Sequence, residues 1–365
     1  MAKENSLTQP LVSIIIVNYN GRGFLNACLS SLLQTRYKNF EIILVDNNSN
    51  DDSLAVVKSH LKEFRGRLKV VSLKSNMGFA AGNNVGLSYA KGDYVLFLNN
   101  DTIVTSEWLS ELVKTMKKSE EIGVAQSLLL LLNDKNHVES AGDFIDYFGK
   151  TVRRGGDWPE YSETYSELEE IFSARGAALI TRKDIIHEIG LFDPSYFATY
   201  EDIDFCWRVR LRGYKVFLAP KSIVYHKGSG TANPLSKYHL TKNLVLTHYK
   251  NYGVWNVCLY SSLIVVGGQL LQDLFERKPL DFQKRINALI WVLRNIKTAT
   301  VKRLFVQNLV RRVCDKKIKE TMLRSSIALL LLYMIYKAKY GWAIASRWYF
   351  QLAYQRRTSL NPLNH

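Results

Sequence analysis

The sequence predicts an α/β layer, a mostly parallel sheet flanked by helices, followed by a basic helical region. Three observations predict it. Strand-like and helix-like stretches alternate from residue 11 to about 130, the pattern of repeated strand–helix units. The run 94–98 (YVLFL) is continuously apolar and made of strand formers, as a strand covered on both faces must be. After about Leu235 the alternation gives way to long helical runs that carry the chain's excess charge.

Taken in order, residues 11–17 form a strand, stopped by Asn18-Tyr19-Asn20-Gly21. Residues 24–34 read as a helix with Leu25, Leu29, Leu32 and Leu33 on one face. A second strand, 41–45, ends in Asp46-Asn47-Asn48-Ser49. A helix over 53–64, a strand over 69–73 and a short helix over 83–90 lead to the strand 94–98, which ends in Asn99-Asn100-Asp101. A helix near 108–116 follows. Residues 131–172 are irregular and rich in Gly, Asp and Tyr, an excursion over the surface around a substrate. Regular structure returns with a strand at 177–181, a helix at 201–212 and strands at 215–218 and 223–225, before Gly228-Ser229-Gly230-Thr231. There is no internal repeat or low-complexity tract.

The 365 residues allow one large domain or two smaller ones. At 47% hydrophobic residues the chain buries a real core, which excludes wholesale disorder. The expected organisation is a tail over 1–10, an α/β domain over 11–236 and a basic helical region over 237–365. The net charge of +16 is uneven: residues 237–365 hold 22 of the 49 basic and 5 of the 33 acidic residues, so the rest of the chain is nearly neutral. Cys28, Cys206, Cys258 and Cys314 are far apart, none at metal-ligand spacing, and read as reduced thiols of a cytoplasmic protein. The polar start MAKENSLTQP lacks the apolar core of a signal peptide, and none is expected.

Residues 251–272 carry no formal charge, and their length matches the ~20 residues of a membrane span. Lys237, Lys242 and Lys250 precede them, and Arg277, Lys278, Lys284 and Arg285 follow. A single span would place one basic flank outside, against the positive-inside tendency. The preferred reading is an in-plane or re-entrant helix on the inner membrane surface, its basic neighbours meeting anionic headgroups. A helix packed inside the protein and a true span are the alternatives. A basic surface also suits nucleic acid, but no stacking motif is present and no nucleic-acid partner is expected.

Several residues stand where chemistry is expected. In parallel α/β sheets the ligand crevice lies just past the carboxyl ends of the strands, where Asn99, Asn100 and Asp101 sit. A carboxylate and two carboxamides there can hold a hard cation and the phosphates it carries. Asp46 at the second strand end either accepts a hydrogen bond from a nucleobase imide or caps the next helix. Tyr19 either stacks on that base or packs locally. The run 76–86 (NMGFAAGNNVG) with Gly78 and Asn83 reads as a glycine-punctuated loop entering a helix, either a phosphate cradle or a plain turn. Glu201, Asp202 and Asp204 open a helix, where acids complement the helix dipole and Asp204 can pair with Arg208. Alternatively Asp202, on the face of Cys206 and Val209, is a general base. His226 ends a strand beside a Gly/Ser loop, and contacts metal or phosphate or nothing in particular.

Together these stretches resemble the family-2 inverting glycosyltransferases, in their rhamnosyltransferase-like, non-processive branch. The resemblance covers roughly 11–232 and rests on SIIIVNYNG, ILVDNNSNDDS, NMGFAAGNNVG, YVLFLNNDT, EDIDFCWRVRLRGY and VYHKGSG in that order, with KNLVLTHYKNY in the tail. It implies the GT-A nucleotide-diphospho-sugar transferase fold, a Rossmann-like mixed sheet flanked by helices, with a C-terminal basic region associating with membrane. It implies that Asp46 binds the base and Tyr19 stacks on it, with Gly78, Asn83, Asn99 and Asn100 near the donor. Asp101 and His226 would hold a divalent cation, Mg2+ or Mn2+, and Asp202 beside Glu201 would be the base. The implied activity moves a sugar from a nucleotide sugar, dTDP-rhamnose or a UDP-sugar leading, to a lipid-linked saccharide acceptor in cell-surface polysaccharide synthesis. Asn99 replaces the first Asp of the family's D-x-D motif, and no Q-x-x-R-W follows Arg208. A nucleotide-sugar-binding partner with little or no catalysis is the alternative, and a basic nucleic-acid-binding α/β protein a further one.

Overall fold

The computed structural model describes residues 9–156, 165–228 and 236–358. Its elements are β1 (Val12–Asn18), α1 (Arg22–Leu33), β2 (Phe40–Asp46), α2 (Ser53–His60), β3 (Leu68–Ser72), α3 (Gly78–Leu87), β4 (Tyr94–Leu98), β5 (Thr102–Val104), α4 (Trp108–Met116) and β6 (Ile122–Leu131). Then come β7 (Val138–Ser140), β8 (Asp143–Ile145), β9 (Thr151–Arg153), β10 (Glu169–Glu170), β11 (Ala178–Arg182), α5 (Lys183–Ile189), α6 (Glu201–Arg212) and β12 (Lys215–His226). The helices α7 (Ser236–Asn251), α8 (Trp255–Phe275), α9 (Pro279–Arg294), α10 (Ile296–Leu304), α11 (Asp315–Glu320), α12 (Ile327–Tyr340) and α13 (Trp342–Thr358) complete it.

One sheet runs β10-β12-β6-β11-β4-β1-β2-β3, with β5 on β12 and β7 on β6. The strands β3, β2, β1 and β4 are parallel, as expected, and β6 and β12 are parallel to each other. The strand β11 is antiparallel to both β4 and β6, so the sheet is mixed. The cause is the excursion after β6. The chain leaves β6 at the sheet's ligand edge and re-enters at the same edge, with no crossover helix among the described residues between, so β11 runs the other way. The two strands expected at 215–218 and 223–225 are one strand, β12, with an irregularity between Ala219 and Ile223.

Alternation along the central strands builds two cores. Ile14, Ile16, Ile42, Leu44, Leu96 and Leu98 face α1 and α4, while Ile15, Val17, Ile43, Val45, Val95 and Phe97 face α3, α5 and α6. The second core continues without a break into the C-terminal helices, through Leu246, Tyr249 and Tyr252 to Val306, Leu323 and Tyr349.

The expected start of the third helix at residue 83 is corrected: α3 begins at Gly78. Its glycines serve packing. A Cβ on Gly82 would lie 3.0 Å from Val17, and one on Gly86 would lie 2.4 Å from Ile15, so the helix sits close on β1 because both are glycine.

Helix α7 is bolted to the α/β layer by buried polar contacts. Lys250 Nζ lies 3.0 Å from both Asp193 and Asp204, and Asp204 also pairs with Arg208 Nε at 3.0 Å. Asn251 Nδ2 donates to Asp204 Oδ1 at 2.9 Å. Burial alone would raise the Asp204 carboxyl, but Lys250 and Arg208 outweigh it and hold it below the usual range. Asn243 Nδ2 donates to the carbonyls of Tyr196, Ala198 and Thr199 at 3.0, 2.9 and 2.7 Å. That segment needs the grip, because Phe197, Thr199 and Tyr200 all have φ between 62° and 68°, a costly region for non-glycine residues.

Two stability tests follow. Lys250→Met removes the cation that Asp193 and Asp204 share, leaving Asp193 to Lys302 and Asp204 to Arg208 and Asn251, and is expected to cost about 1.5–3 kcal/mol in urea unfolding. Because both folded-state carboxyls lie below their unfolded values, their contribution is present above about pH 4 and disappears as pH falls through the lower folded values. The variant is therefore expected to flatten the acid limb of the stability profile; an unchanged limb would assign acid sensitivity elsewhere. Asn243→Ala is expected to accelerate amide exchange at residues 197–204 with the sheet unaffected, and to cost about 1–3 kcal/mol. Unaltered exchange there would mean that the strained segment holds itself.

Candidate active site

The site forms where strand ends meet. Register pairs Asn18 with Asp46 across β1 and β2, and Thr102 with His226 across β5 and β12. Because β4, β6 and β12 share one direction, the ends of β1, β2, β4 and β12 and the start of β11 lie along one edge.

At one end of that edge, Asn18 Nδ2 donates to Asp46 Oδ1 at 3.2 Å and to Ser49 Oγ at 3.0 Å, and Asn100 Nδ2 donates to Asn18 Oδ1 at 2.7 Å. Asp46 Oδ2 also accepts from Ser49 N at 3.2 Å. Asn18 thus ties three strand ends together. A Cβ on Gly21 would stand 2.2 Å from both Asn18 and Asn100, so only glycine leaves room for the pair. Tyr19 beside them is 40% exposed, a ring free to receive a flat partner.

At the other end, His226 is held between two carboxylates. Its Nδ1 lies 3.0 Å from Glu139 Oε2 and its Nε2 lies 3.1 Å from Asp101 Oδ1, with the Asn99 amide 3.2 Å away. Burial works to lower the imidazole, but Asp101 and Glu139 overcome it and push it up to about 9. Burial would raise Glu139, yet His226 and Arg175 bring it down to about 2. Arg175 continues the chain, 3.3 Å from Glu139 and 3.2 Å from Asp143.

Next to Arg175, the Gly176 N–H donates to Asp202 Oδ2 at 3.1 Å, and Ile203 N donates to Oδ1 at 2.8 Å. Burial first, and Asp143 second, push the Asp202 carboxyl above its ordinary value against the Gly176 N–H and Arg175. Glu201 is buried, its Oε2 has no hydrogen-bond partner, and burial and then Asp202 raise it well above the carboxylate range. Asp204, by contrast, serves the α6–α7 ion pairs, the structural role its spacing to Arg208 indicated.

A cavity of about 1120 Å³ carries Asn99, His226, Arg175, Glu201 and Asp202 on its wall. Asp46, Tyr19, Asn100 and Asp101 stand beside it at the strand ends. Gly78 and Asn83 are not on its wall, although the Gly78 carbonyl accepts from Asn47 Nδ2, next to Asp46, at 3.2 Å. Gly78 has φ +83° and a Cβ there would lie 2.4 Å from the Phe197 carbonyl. Asn83 donates within its own helix to the Phe79 carbonyl at 2.9 Å. Of the Gly/Ser loop after His226, Ser229 to Thr231 lie outside the described residues.

Among the described residues no group of three or more His, Cys, Asp and Glu is placed to cage a metal. Asp101 and His226 would hold a cation that takes its other ligands from a diphosphate once the ion displaces the proton that His226 Nε2 shares with Asp101. The sequence reading missed Asn18, Glu139, Asp143, Arg175 and Asn243. Arg175-Gly176, directly before an apolar strand, is a readable signal; Glu139 and Asp143, in β7 and β8, fall in a stretch whose sequence reads as irregular and carries none.

Residues 13–189 match the model of Glycosyl transferase family 2. Over 129 residues the chain is 33% identical to an uncharacterized glycosyltransferase of Haemophilus influenzae, a match covering 34% of this chain and 39% of that relative. The chain thus spans about two fifths of that relative's length. It is 26% identical over 312 residues to a cholesterol galactosyltransferase of Borreliella burgdorferi, covering 82% of this chain and 81% of that one. A mannosyltransferase from Pyrobaculum calidifontis in complex with GDP-Man and Mn2+ shares the fold at a TM-score of 0.53 and 14% identity, covering 97% of this chain and 87% of the other. The architecture is a GT-A-like mixed α/β fold, and residues 13–189 within it are similar to glycosyl transferase family 2.

Proposed function

We propose that the protein transfers a sugar from a nucleoside diphosphate sugar to a hydroxyl of a lipid-linked acceptor, with inversion, in cell-surface glycan synthesis. The observation that carries this reading is the wall shared by Asp202, whose carboxyl is raised, and by Asn99 and His226 of the strand ends. In this reading donor and base share one cavity.

In this reading Asp46 accepts from the imide N–H of a pyrimidine base and Tyr19 stacks on it, so that a UDP-sugar or dTDP-rhamnose is preferred. A divalent cation, Mg2+ or Mn2+, held by Asp101 and His226 would neutralise charge on the diphosphate. Asp202 takes the proton of the acceptor hydroxyl. The acceptor oxygen forms its bond to the anomeric carbon as the bond to the diphosphate oxygen breaks, and that electron pair leaves with the nucleoside diphosphate. The Gly176 and Ile203 N–H groups hold the carboxylate in place, and its raised value makes it a stronger base. The relative named cholesterol galactosyltransferase supports a lipid acceptor. The exposed apolar side chains Leu259, Leu263, Leu274 and Phe275 on α8 and Leu332 and Ile335 on α12 support attachment in the plane of the inner membrane surface.

Asp202→Asn is expected to lower turnover roughly 10²- to 10⁴-fold while UDP binding, read by thermal shift, is retained. Wild-type kcat/KM is expected to fall on the acid side with an apparent value above the ~3.9 of an ordinary Asp, since the base works only when deprotonated. Full turnover in the variant would remove Asp202 from this role. Asp101→Asn is expected to erase the extra stabilisation that Mn2+ adds to UDP; if the increment survives, the cation is held elsewhere.

A further inference from the structure

The cavity at Asp202 does not end at the polar groups. Its wall continues along Leu263, Ile264 and Leu271 of α8 and Leu330, Leu331 and Met334 of α12. A nucleotide sugar has no use for such a wall. Leu263, Leu271 and Leu331 are each more than half exposed while also lining the cavity, so the chamber opens to the surface between the two helices. Its volume exceeds the ~300–1,000 Å³ of ordinary small-ligand pockets.

Two glycines point the same way. Gly267 and Gly268 lie in the interior of α8, where glycine costs about 1 kcal/mol relative to Ala. Unlike Gly82 and Gly86, they permit no close packing. A Cβ on Gly267 would meet nothing within 4 Å, and one on Gly268 would meet only Met334 Sδ at 3.7 Å. Both line the cavity, so the room they leave belongs to whatever fills it.

The apolar wall also begins next to the reacting groups. Tyr200, adjacent to Glu201, packs against the cluster of Leu244, Val265 and Val266. A hydroxyl at Asp202 therefore has hydrocarbon-binding surface within a residue or two of it.

Resting on the glycosyl-transfer reading above, we propose that the chamber between α8 and α12 holds the hydrocarbon of a membrane amphiphile whose own short, hydroxyl-bearing head reaches Asp202. The enzyme then acts close to the lipid anchor. The reaction that supplies its acceptor is one that makes the lipid or adds its first head groups, and later glycosylations consume its product.

The test uses the full chain and n-alkyl β-D-glucosides of two to ten carbons below their critical micelle concentrations, with binding read by calorimetry. Wild-type affinity is expected to rise about fourfold per buried CH2 until the chamber is filled. Gly268→Leu and Met334→Trp, each narrowing the chamber, are expected to weaken decyl glucoside at least tenfold while leaving the ethyl compound and the UDP-induced thermal shift unchanged. Leu332→Ser, exposed and off the wall, is the control and is expected to bind decyl glucoside normally. Affinity independent of chain length in the wild type overturns the proposal without any variant, and so does sensitivity to Leu332→Ser in place of Gly268→Leu. Absence of a UDP shift with chain-length dependence intact would instead overturn the glycosyl-transfer reading and leave the hydrocarbon chamber standing.

Discussion

The buried carboxylate of Asp204 is the constraint around which the site is arranged. A charge removed from water needs its partners in place, and Lys250, Asn251 and Arg208 are those partners. Two of the three come from α7. The same helix presents Asn243 and Thr247, at helical spacing from Lys250 and Asn251, to the segment before α6; Thr247 Oγ1 meets Tyr196 Oη at 2.7 Å. One face of α7 therefore fixes both the body of α6 and the left-handed backbone that leads into it. The direction in which α6 presents Glu201 and Asp202 follows from that.

The second organising feature is the order of charges along the ligand edge. Asp101, His226, Glu139, Arg175 and Asp143 alternate in sign, each within about 3.3 Å of the next. Such a chain keeps each buried group paired and fixes side chains that come from four separate stretches of sequence. Asp202 borders the chain through the Arg175-Gly176 backbone without being neutralised by it. Glu201 is left without a hydrogen-bond partner for one oxygen, which favours its protonated form and leaves Asp202 as the carboxylate able to accept a proton.

The basic character of the last third has more than one physical origin. Arg303 clamps the carbonyls of Tyr249, Tyr252 and Gly253 at the end of α7, Arg311 pairs with Asp315, and Arg285 is buried against Asp273. These arginines hold helices together. The apolar side chains that α8, α9 and α12 leave exposed, such as Leu263, Leu293 and Ile335, are a separate surface. Charge counted from the sequence merges the two.

Apolar runs of strand formers by themselves marked 11–17, 41–45 and 94–98 as strands, and the polar residues ending them marked Asp46, Asn99, Asn100 and Asp101, because apolar runs and strand ends are local properties. The acids of α6 and His226 were legible for the same reason. What lay beyond the sequence depended on chain paths. The antiparallel return of β11 brings Arg175 and Gly176 to the ligand edge. The excursion folds Glu139 onto His226, and α7 reaches back to Asn243's three carbonyls. A glycine run read as a loop became a helix because its Cβ-less face had to meet Ile15 and Val17, and a tertiary neighbour, not a local propensity, decided that. The apolar chamber belongs to the same class, since α8 and α12 lie far apart in sequence and only their packing beside Asp202 turns two greasy helices into one wall.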